Sequence, residues 1–172
     1  MNYCFFDSPI GPLLIAGDQE GVRHIQFPRH GGSKHSSAAK PERDWIESKS
    51  GAVAEAVVQL REYFAGRRAE FDLPLAPQGT QFQLAVWREL QRIPYGQTIS
   101  YGELARRIGN PKASRAVGSA NGANQIPIVI PCHRVIAAGG KLGGFGGGLP
   151  VKEALLALET APLTGNWSVA GR

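Results

Sequence analysis

Pro131-Cys132-His133-Arg134-Val135 is the densest run of chemistry-bearing side chains in the sequence. Cysteine attacks as its thiolate, which a neighbouring base or cation must generate or stabilise. His133 is the candidate base, and Arg134 and the upstream Asn124 add polar groups around it. A cysteine next to a histidine is a weak signal in isolation, because buried cysteines are more often inert packing. The polar shell and the glycine-rich stretch that follows favour chemistry here.

Several elements must position that run. Residues 126–130 read as a short buried strand leading into Pro131. Thr80 with Gln83, and Ser100 with Glu103, form capping boxes that start two helices, with Ile99 placed to staple onto Leu104. The second helix stops at Gly109, which can turn left-handed. Asn110 then caps a third helix with Pro111 at its first position. Two short helices joined by one tight turn predict a helix-turn-helix. On the third helix, Ala113, Ala116, Val117 and Ala120 project to one face, which should pack inward. Arg115, Gly118 and Gly122 project to the other, flanked by Ser114 and Ser119. Glycines cost a helix about 1 kcal/mol each relative to alanine, so a bare face with one long cation suits close approach to a large flat partner.

The first part of the chain reads differently. Cys4-Phe5-Phe6, Leu13-Leu14-Ile15-Ala16 and residues 22–27 are short strands separated by Gly/Pro turns. Residues 30–49 read as a polar loop. Val53, Ala56, Val57, Leu60 and Phe64 give a helix, Phe71-Asp72-Leu73-Pro74-Leu75 an edge strand, and residues 74–79 a linker. Two domains are expected, 1–76 and 77–172. Cys4 is expected in the core and His24, His30 and His35 in surface or loop positions. Trp45, Trp87 and Trp167 read as packing.

The chain has 172 residues, 42% of them hydrophobic, with a net charge of +5. That length can bury a substantial core. No run approaches the ~18 apolar residues of a membrane helix, and the first residues lack a signal-peptide pattern. Two cysteines cannot build a disulfide framework, so a reduced cytoplasmic setting is expected. The charge is uneven. Residues 1–76 carry 9 Lys/Arg and 10 Asp/Glu, a net of −1; residues 77–172 carry 10 and 4, a net of +6. The excess in the second part fits a polyanionic partner.

These motifs together resemble the O6-alkylguanine-DNA alkyltransferases, or methylated-DNA–protein-cysteine methyltransferases. The run at Cys132 matches that family's active-site motif letter for letter. Ile99-Ser100-Tyr101, Gly109-Asn110-Pro111-Lys112-Ala113, Arg115-Ala116-Val117-Gly118, Asn124, Gly146-Gly147-Gly148-Leu149 and Lys152-Glu153 to Glu159 fall at the family spacings. The match is specific over 80–159 and looser over 1–76, where Asp7-Ser8-Pro9-Ile10-Gly11 is the clearest shared feature.

The resemblance implies an α/β protein with a small ribonuclease-H-like first domain and a helical, winged-helix-like second domain. It implies irreversible, single-use transfer of an alkyl group from O6-alkylguanine, and from O4-alkylthymine, in duplex DNA to Cys132. By the same resemblance His133 takes the thiol proton through a water, Glu159 orients His133, Asn124 braces the network and Tyr101 protonates the departing base. Arg115 is the finger that fills the stack after base flipping, on a helix laid in the minor groove, with Ser114, Gly118, Ser119 and Gly122 as the DNA face. Pro127, Val135, Phe145 and Gly146 form the base pocket, where the backbone at Val135 and Gly146 reads base edges. Phe145 stands where some relatives carry tyrosine.

The glycine-rich stretch 139–148 holds seven glycines in ten residues. A phosphate-binding loop is ruled out because no Gly-Lys-Ser/Thr follows, so a flexible wall over the flipped base is expected. No cofactor and no metal are expected, since the zinc-binding Cys/His positions of some relatives do not match, and the protein is expected to act as a monomer. Two rival classes remain: a non-catalytic alkylated-DNA-binding module, and a Cys-His thiol hydrolase.

Overall fold

The computed structural model describes residues 1–28 and 39–164. Residues 30–38 of the loop expected at 30–49, with His30 and His35, and also Trp167, therefore lie outside the described residues.

The chain opens with an antiparallel meander, β1 (Asn2–Ser8), β2 (Gly11–Asp18) and β3 (Gly21–Gln26), as the alternating apolar runs predict. A two-residue strand, β4 (Ile46–Glu47), pairs parallel to β1 and completes the order β3-β2-β1-β4; it lies inside the segment expected to be a loop. Helix α1 (Gly51–Phe64) packs on β1, β2 and β3 through Val53, Ala56 and Leu60. Its stripe differs at the C-terminal end. Tyr63 is fully buried and Phe64 only partly so, the reverse of what hydrophobicity alone implies.

The expected edge strand at 71–75 reduces to one parallel bridge, Val22 with Leu75. Val22 donates to Pro74 O (2.8 Å) and Ala76 donates to Val22 O (2.9 Å). Pro74 lacks an N–H, so the ladder cannot extend. Gly21 permits this approach: its φ is +144° and a Cβ there would lie 2.3 Å from Pro74 O.

The second part is helical. Helix α2 (Gln81–Leu90) begins with the full Thr80–Gln83 capping box. Strand β5 (Ile99–Ser100) leads into α3 (Tyr101–Arg107), where Ser100 caps Glu103 N while the Glu103 carboxylate turns to Arg106 and Arg107. Gly109 is left-handed as expected, with φ +79°. The next helix starts later than Asn110 and Pro111 predict. Residues 110–113 form a turn closed by Ala113 N to Asn110 O (3.0 Å), and α4 (Ser114–Gly122) begins after it. The connection is thus two successive turns rather than one tight turn.

Residues 126–130, expected as a strand, instead form a compact turn. Ile130 donates to Ile126 O (2.9 Å), and Ile128 sits at φ +76°. Ile126, Ile128 and Ile130 are all buried, and a buried turn and a buried strand share that apolar pattern. A 3-10 turn at Cys132–Arg134 runs into β6 (Val135–Ile136), which pairs parallel with β5. Helix α5 (Leu149–Thr160) ends the described fold.

One core runs through both parts, from Cys4, Leu13 and Ile15 through Leu60 and Trp87 to Cys132 and Leu155. Ile25 of β3 donates to Gln125 O (2.9 Å), joining the sheet to the segment before Cys132. Leu14, Ala16 and Trp45 form a second cluster on the other sheet face, and His24 stacks on Trp45. Trp87 donates through Nε1 to Ala120 O (2.8 Å). No helix of the described residues is long and apolar enough to cross a membrane.

Candidate active site

Asn124 fixes the approach to Cys132. Its Nδ2 donates to Ile130 O (2.8 Å) and its Oδ1 accepts from Ile126 N (3.0 Å), so one side chain clamps both ends of the 126–130 turn. The chain leaves the turn through Pro131, and the 3-10 turn places Cys132 on the floor of a cavity of about 540 Å³. Tyr101, Gly118, Gly122, Asn124, Pro127, Phe145 and Gly146 line that cavity together with Cys132.

His133, next to Cys132 in the chain, pairs with Glu159; both are buried outside the cavity lining, with Nε2 and Oε1 2.7 Å apart. Glu159 falls near the C-terminus of α5, where the helix dipole disfavours a carboxylate. Its partners reverse that. Arg134 donates through Nε to Oε2 (2.8 Å) and through Nη2 to Oε1 (2.9 Å), and Tyr63 donates to Oε1 (2.7 Å). Burial raises the carboxyl, but hydrogen bonds from His133 and Arg134 outweigh it and hold the group down at about 2. Glu159 is therefore an anion that only accepts, so the His133 proton sits on Nε2. Nδ1 is left as the basic nitrogen, buried and without a partner among the described residues. Burial lowers the His133 pKa against the opposing hydrogen bond and charge of Glu159, the cations of Arg134 and Lys152 add to the lowering, and the imidazole is kept neutral.

Burial dominates at Cys132 and pushes its thiol up to about 11; the Asn124 hydrogen bond and the Lys152 charge pull the other way. The resting group is a thiol, so the thiolate has to be generated by a base. Lys152 is fully buried on α5, where its Nζ donates to Val135 O (2.7 Å) and also to Leu142 O. Burial lowers its pKa.

The other expected site residues separate into groups. Arg115 and Ser119 are exposed on α4, and Ser114 is partly so. Ala116, expected inward, is also exposed, because the helix turns only Val117, Ala120 and Asn121 to the core. Tyr101 lies over Gly118: a Cβ there would sit 3.9 Å from its ring. Val135 is fully buried and absent from the cavity wall. Its carbonyl accepts from Lys152 and its N–H closes the 3-10 turn on Cys132 O. Arg134 and Lys152 are likewise buried, which removes two of the ten cations of residues 77–172 from any surface role.

Several contributors were not singled out from the sequence. Asn121 is buried and donates to Cys132 O (3.3 Å), while its Oδ1 has no partner among the described residues. Gln26 and Phe27 of the first part complete the cavity wall, with the Phe27 ring 5.5 Å from Phe145. A signal existed for Lys152, a lysine between Val151 and Leu155 on an apolar helix face. Tyr63 and Phe27 gave none, since an aromatic at a core position looks alike with or without a partner for its edge. Among the described residues no His/Cys/Asp/Glu group is arranged to hold a metal.

A buried thiol lining a cavity, a neutral histidine next to it in the chain paired with an ionised carboxylate, and a helix with an exposed arginine beside the cavity define a protein equipped for thiol chemistry. Comparisons with known proteins identify the kind. Residues 1–77 match the ribonuclease-like domain and residues 81–161 the DNA binding domain of 6-O-methylguanine DNA methyltransferase. The chain is 52% identical over 159 residues to the methylated-DNA–protein-cysteine methyltransferase of Methanosarcina acetivorans, covering 92% of this chain and 98% of that one. It is 51% identical over 160 residues to the protein of that name from Mycolicibacterium paratuberculosis, covering 92% of each. Among solved structures, Mycobacterium tuberculosis OGT in complex with DNA superposes with a TM-score of 0.82 at 48% identity, covering 94% of this chain and 96% of that one. The chain belongs to the 6-O-methylguanine DNA methyltransferase family, and its work is the direct reversal of DNA alkylation.

Proposed function

We propose that the protein removes the alkyl group from O6-alkylguanine, and from O4-alkylthymine, in duplex DNA by one irreversible transfer to Cys132. The observation that supports it best is that Cys132 lines the cavity while the next residue in the chain, His133, is paired with Glu159.

His133 Nδ1 takes the Cys132 proton through a water, and the thiolate attacks the alkyl carbon. The carbon–oxygen bond breaks with its electron pair going to guanine O6, and the Tyr101 phenol supplies the proton the base needs. Burial raises the Tyr101 pKa, followed by the nearby Cys132, so it is held as a donor. The product is a thioether with no electrophilic carbonyl for water to attack, so each molecule reacts once.

The target atom lies inside the duplex, so the nucleotide is flipped at a cost of a few kcal/mol. Arg115 fills the vacated stack. Gly118 and Gly122, with Ser114 and Ser119, let α4 approach the minor groove as one helix of a helix-turn-helix, with slight sequence preference. Arg106 and Arg107 are tied to Glu103, and Arg92 to Glu89. Among the described residues, exposed Arg88, Lys112 and Lys141 remain for phosphate contacts. A free thiol as reagent suits a reduced intracellular setting, with the protein acting as a monomer.

Mass spectrometry tests the reading. After mixing with a duplex that holds one O6-methylguanine, the intact mass should rise by one methyl, located on the Cys132 peptide. Unmodified protein bound tightly to the duplex would identify a lesion-binding module instead. Catalytic turnover on acyl substrates would identify a thiol hydrolase.

A further inference from the structure

Glu159 collects donors from four places. His133, Arg134 and the Gly96 N–H (3.5 Å) come from the second part of the chain. The fourth is Tyr63, at the C-terminal end of α1 in the first part. Its hydroxyl lies 2.7 Å from Oε1, the same oxygen that faces His133 Nε2 and Arg134 Nη2.

Tyr63 is held more firmly than a core aromatic needs for packing alone. Its ring meets Tyr95 edge-on (6.2 Å, 83°), Phe64 edge-on (5.3 Å, 76°) and Phe71 (5.4 Å). Just beyond α5, Thr164 donates through N to Gly66 O (2.6 Å) and through Oγ1 to Ala65 O (2.9 Å), so the helices carrying Tyr63 and Glu159 are tied a second time. Burial, then the Glu159 charge, push the phenol well above its ordinary value. Against an ionised carboxylate it is therefore a permanent neutral donor.

We propose that Tyr63 is a positioning residue of the transfer reaction: by donating to Glu159 Oε1 it limits the pull of that oxygen on the His133 proton and makes the reactivity of Cys132 depend on the docking of the first part of the chain. The inference rests on the Cys132–His133–Glu159 relay assigned above.

Three donors share Oε1, and each takes up charge that the others would otherwise receive. With Tyr63 present, the pull of Glu159 toward imidazolium is outweighed by burial, and the imidazole stays neutral at neutral pH. Without it, the same oxygen stabilises imidazolium more strongly, and His133 stays protonated, hence useless as a base, to higher pH. The other ionisable groups facing this pair are Arg134, Lys152, Cys132 and Tyr95. Arg134 and Lys152 oppose imidazolium and remain when Tyr63 is changed.

The test is single-turnover transfer from an O6-methylguanine duplex to the full chain between pH 5.5 and 9.5. Wild type should show an acid limb that levels off once His133 has lost its proton, and His133→Gln should lose that break and climb with pH throughout; if the break survives, the relay itself is wrong, whatever Tyr63 does. Tyr63→Phe should move the limb to higher pH by about half a unit. This corresponds to roughly threefold in the imidazole equilibrium. Transfer should slow by up to about threefold on the acid limb near pH 5.5, while the rate at pH 7 and on the alkaline plateau changes little. Fluorinated tyrosine at position 63, a stronger donor of nearly the same shape, should move the limb the other way. A purely structural tyrosine would lower the melting temperature and scale the rate equally at every pH. An unmoved limb in both variants would overturn the proposal, and if Tyr63→Phe fails to fold, the fluorinated protein alone decides.

Discussion

Arg134 grips both oxygens of Glu159, at 2.8 and 2.9 Å, with both side chains out of reach of solvent. Its remaining reach goes to Ile93 O (2.7 Å), and its guanidinium lies over the Tyr95 ring. A buried pair is costly to half-remove, because the survivor keeps its charge without compensation; the typical loss is about 3–5 kcal/mol. Arg134→Ala should therefore unfold at much lower urea concentration at pH 7. Arg134→Ala combined with Glu159→Gln should recover part of the loss. If the single variant melts like wild type, the pair does not hold the fold together.

The same cluster sets the response to acid. The folded carboxyl of Glu159 is at about 2 against an ordinary 4.5, so its contribution is complete above pH 4.5 and is lost as pH falls toward 2. That contribution is about 3 kcal/mol. His133 adds a loss at higher pH, since its folded pKa is depressed: the unfolded chain takes up a proton below about 6.5 that the folded chain refuses. Urea midpoints should fall first below pH 6.5 and again below 4.5. Glu159→Gln should flatten the second step. A midpoint constant from pH 7 to 3 would contradict both assignments.

With the Cys132 thiol raised to about 11, base catalysis and spontaneous ionisation separate cleanly. His133→Gln should slow transfer at pH 7.5 by roughly 10²–10⁴-fold, the usual worth of a general base. The residual rate should climb with pH up to the limit of stability, because only thiolate formed without help then reacts. A residual rate independent of pH would mean that the cysteine is ionised at rest.

Much of this arrangement was legible in the residues. The Cys132 run, the Thr80–Gln83 box and the pairing of His133 with Glu159 rest on local chemistry or on a specific motif, and the geometry agrees. What escaped depends on a choice between a local turn and a regular element, or on contacts between distant segments. Ile128 shows only an apolar residue in an apolar run, and its left-handed backbone is imposed by the Asn124 clamp on Ile126 and Ile130. The late start of α4 has a similar origin, since Asn110 and Pro111 favour a turn as readily as a helix start. Tyr63 and Glu159 are separated by 96 positions, and no periodicity links them.

Arg115 stands exposed on α4, outside the cavity. A residue that replaces a flipped base matters only when there is a stack to refill. Arg115→Ala should slow transfer in duplex DNA about tenfold or more, in line with an unstacking cost of a few kcal/mol. Transfer from free O6-benzylguanine should change little. Equal losses on the two substrates would remove the finger role.

Gly147 carries the last test, because the cavity wall depends on its lack of a side chain. A Cβ there would lie 2.9 Å from Phe27 Cδ2 and 3.1 Å from Phe145 Cε1, so one of the two rings has to move. Both rings belong to the wall, one from each part of the chain. Gly147→Ala should therefore slow transfer from O6-benzylguanine and destabilise by about 1–3 kcal/mol, as overpacking does. Shortening the opposing ring in Phe27→Leu should restore much of both losses, with a coupling of about 1 kcal/mol in a double-mutant cycle. Strictly additive effects would show that Phe27 and the glycine-rich segment are not coupled across the wall.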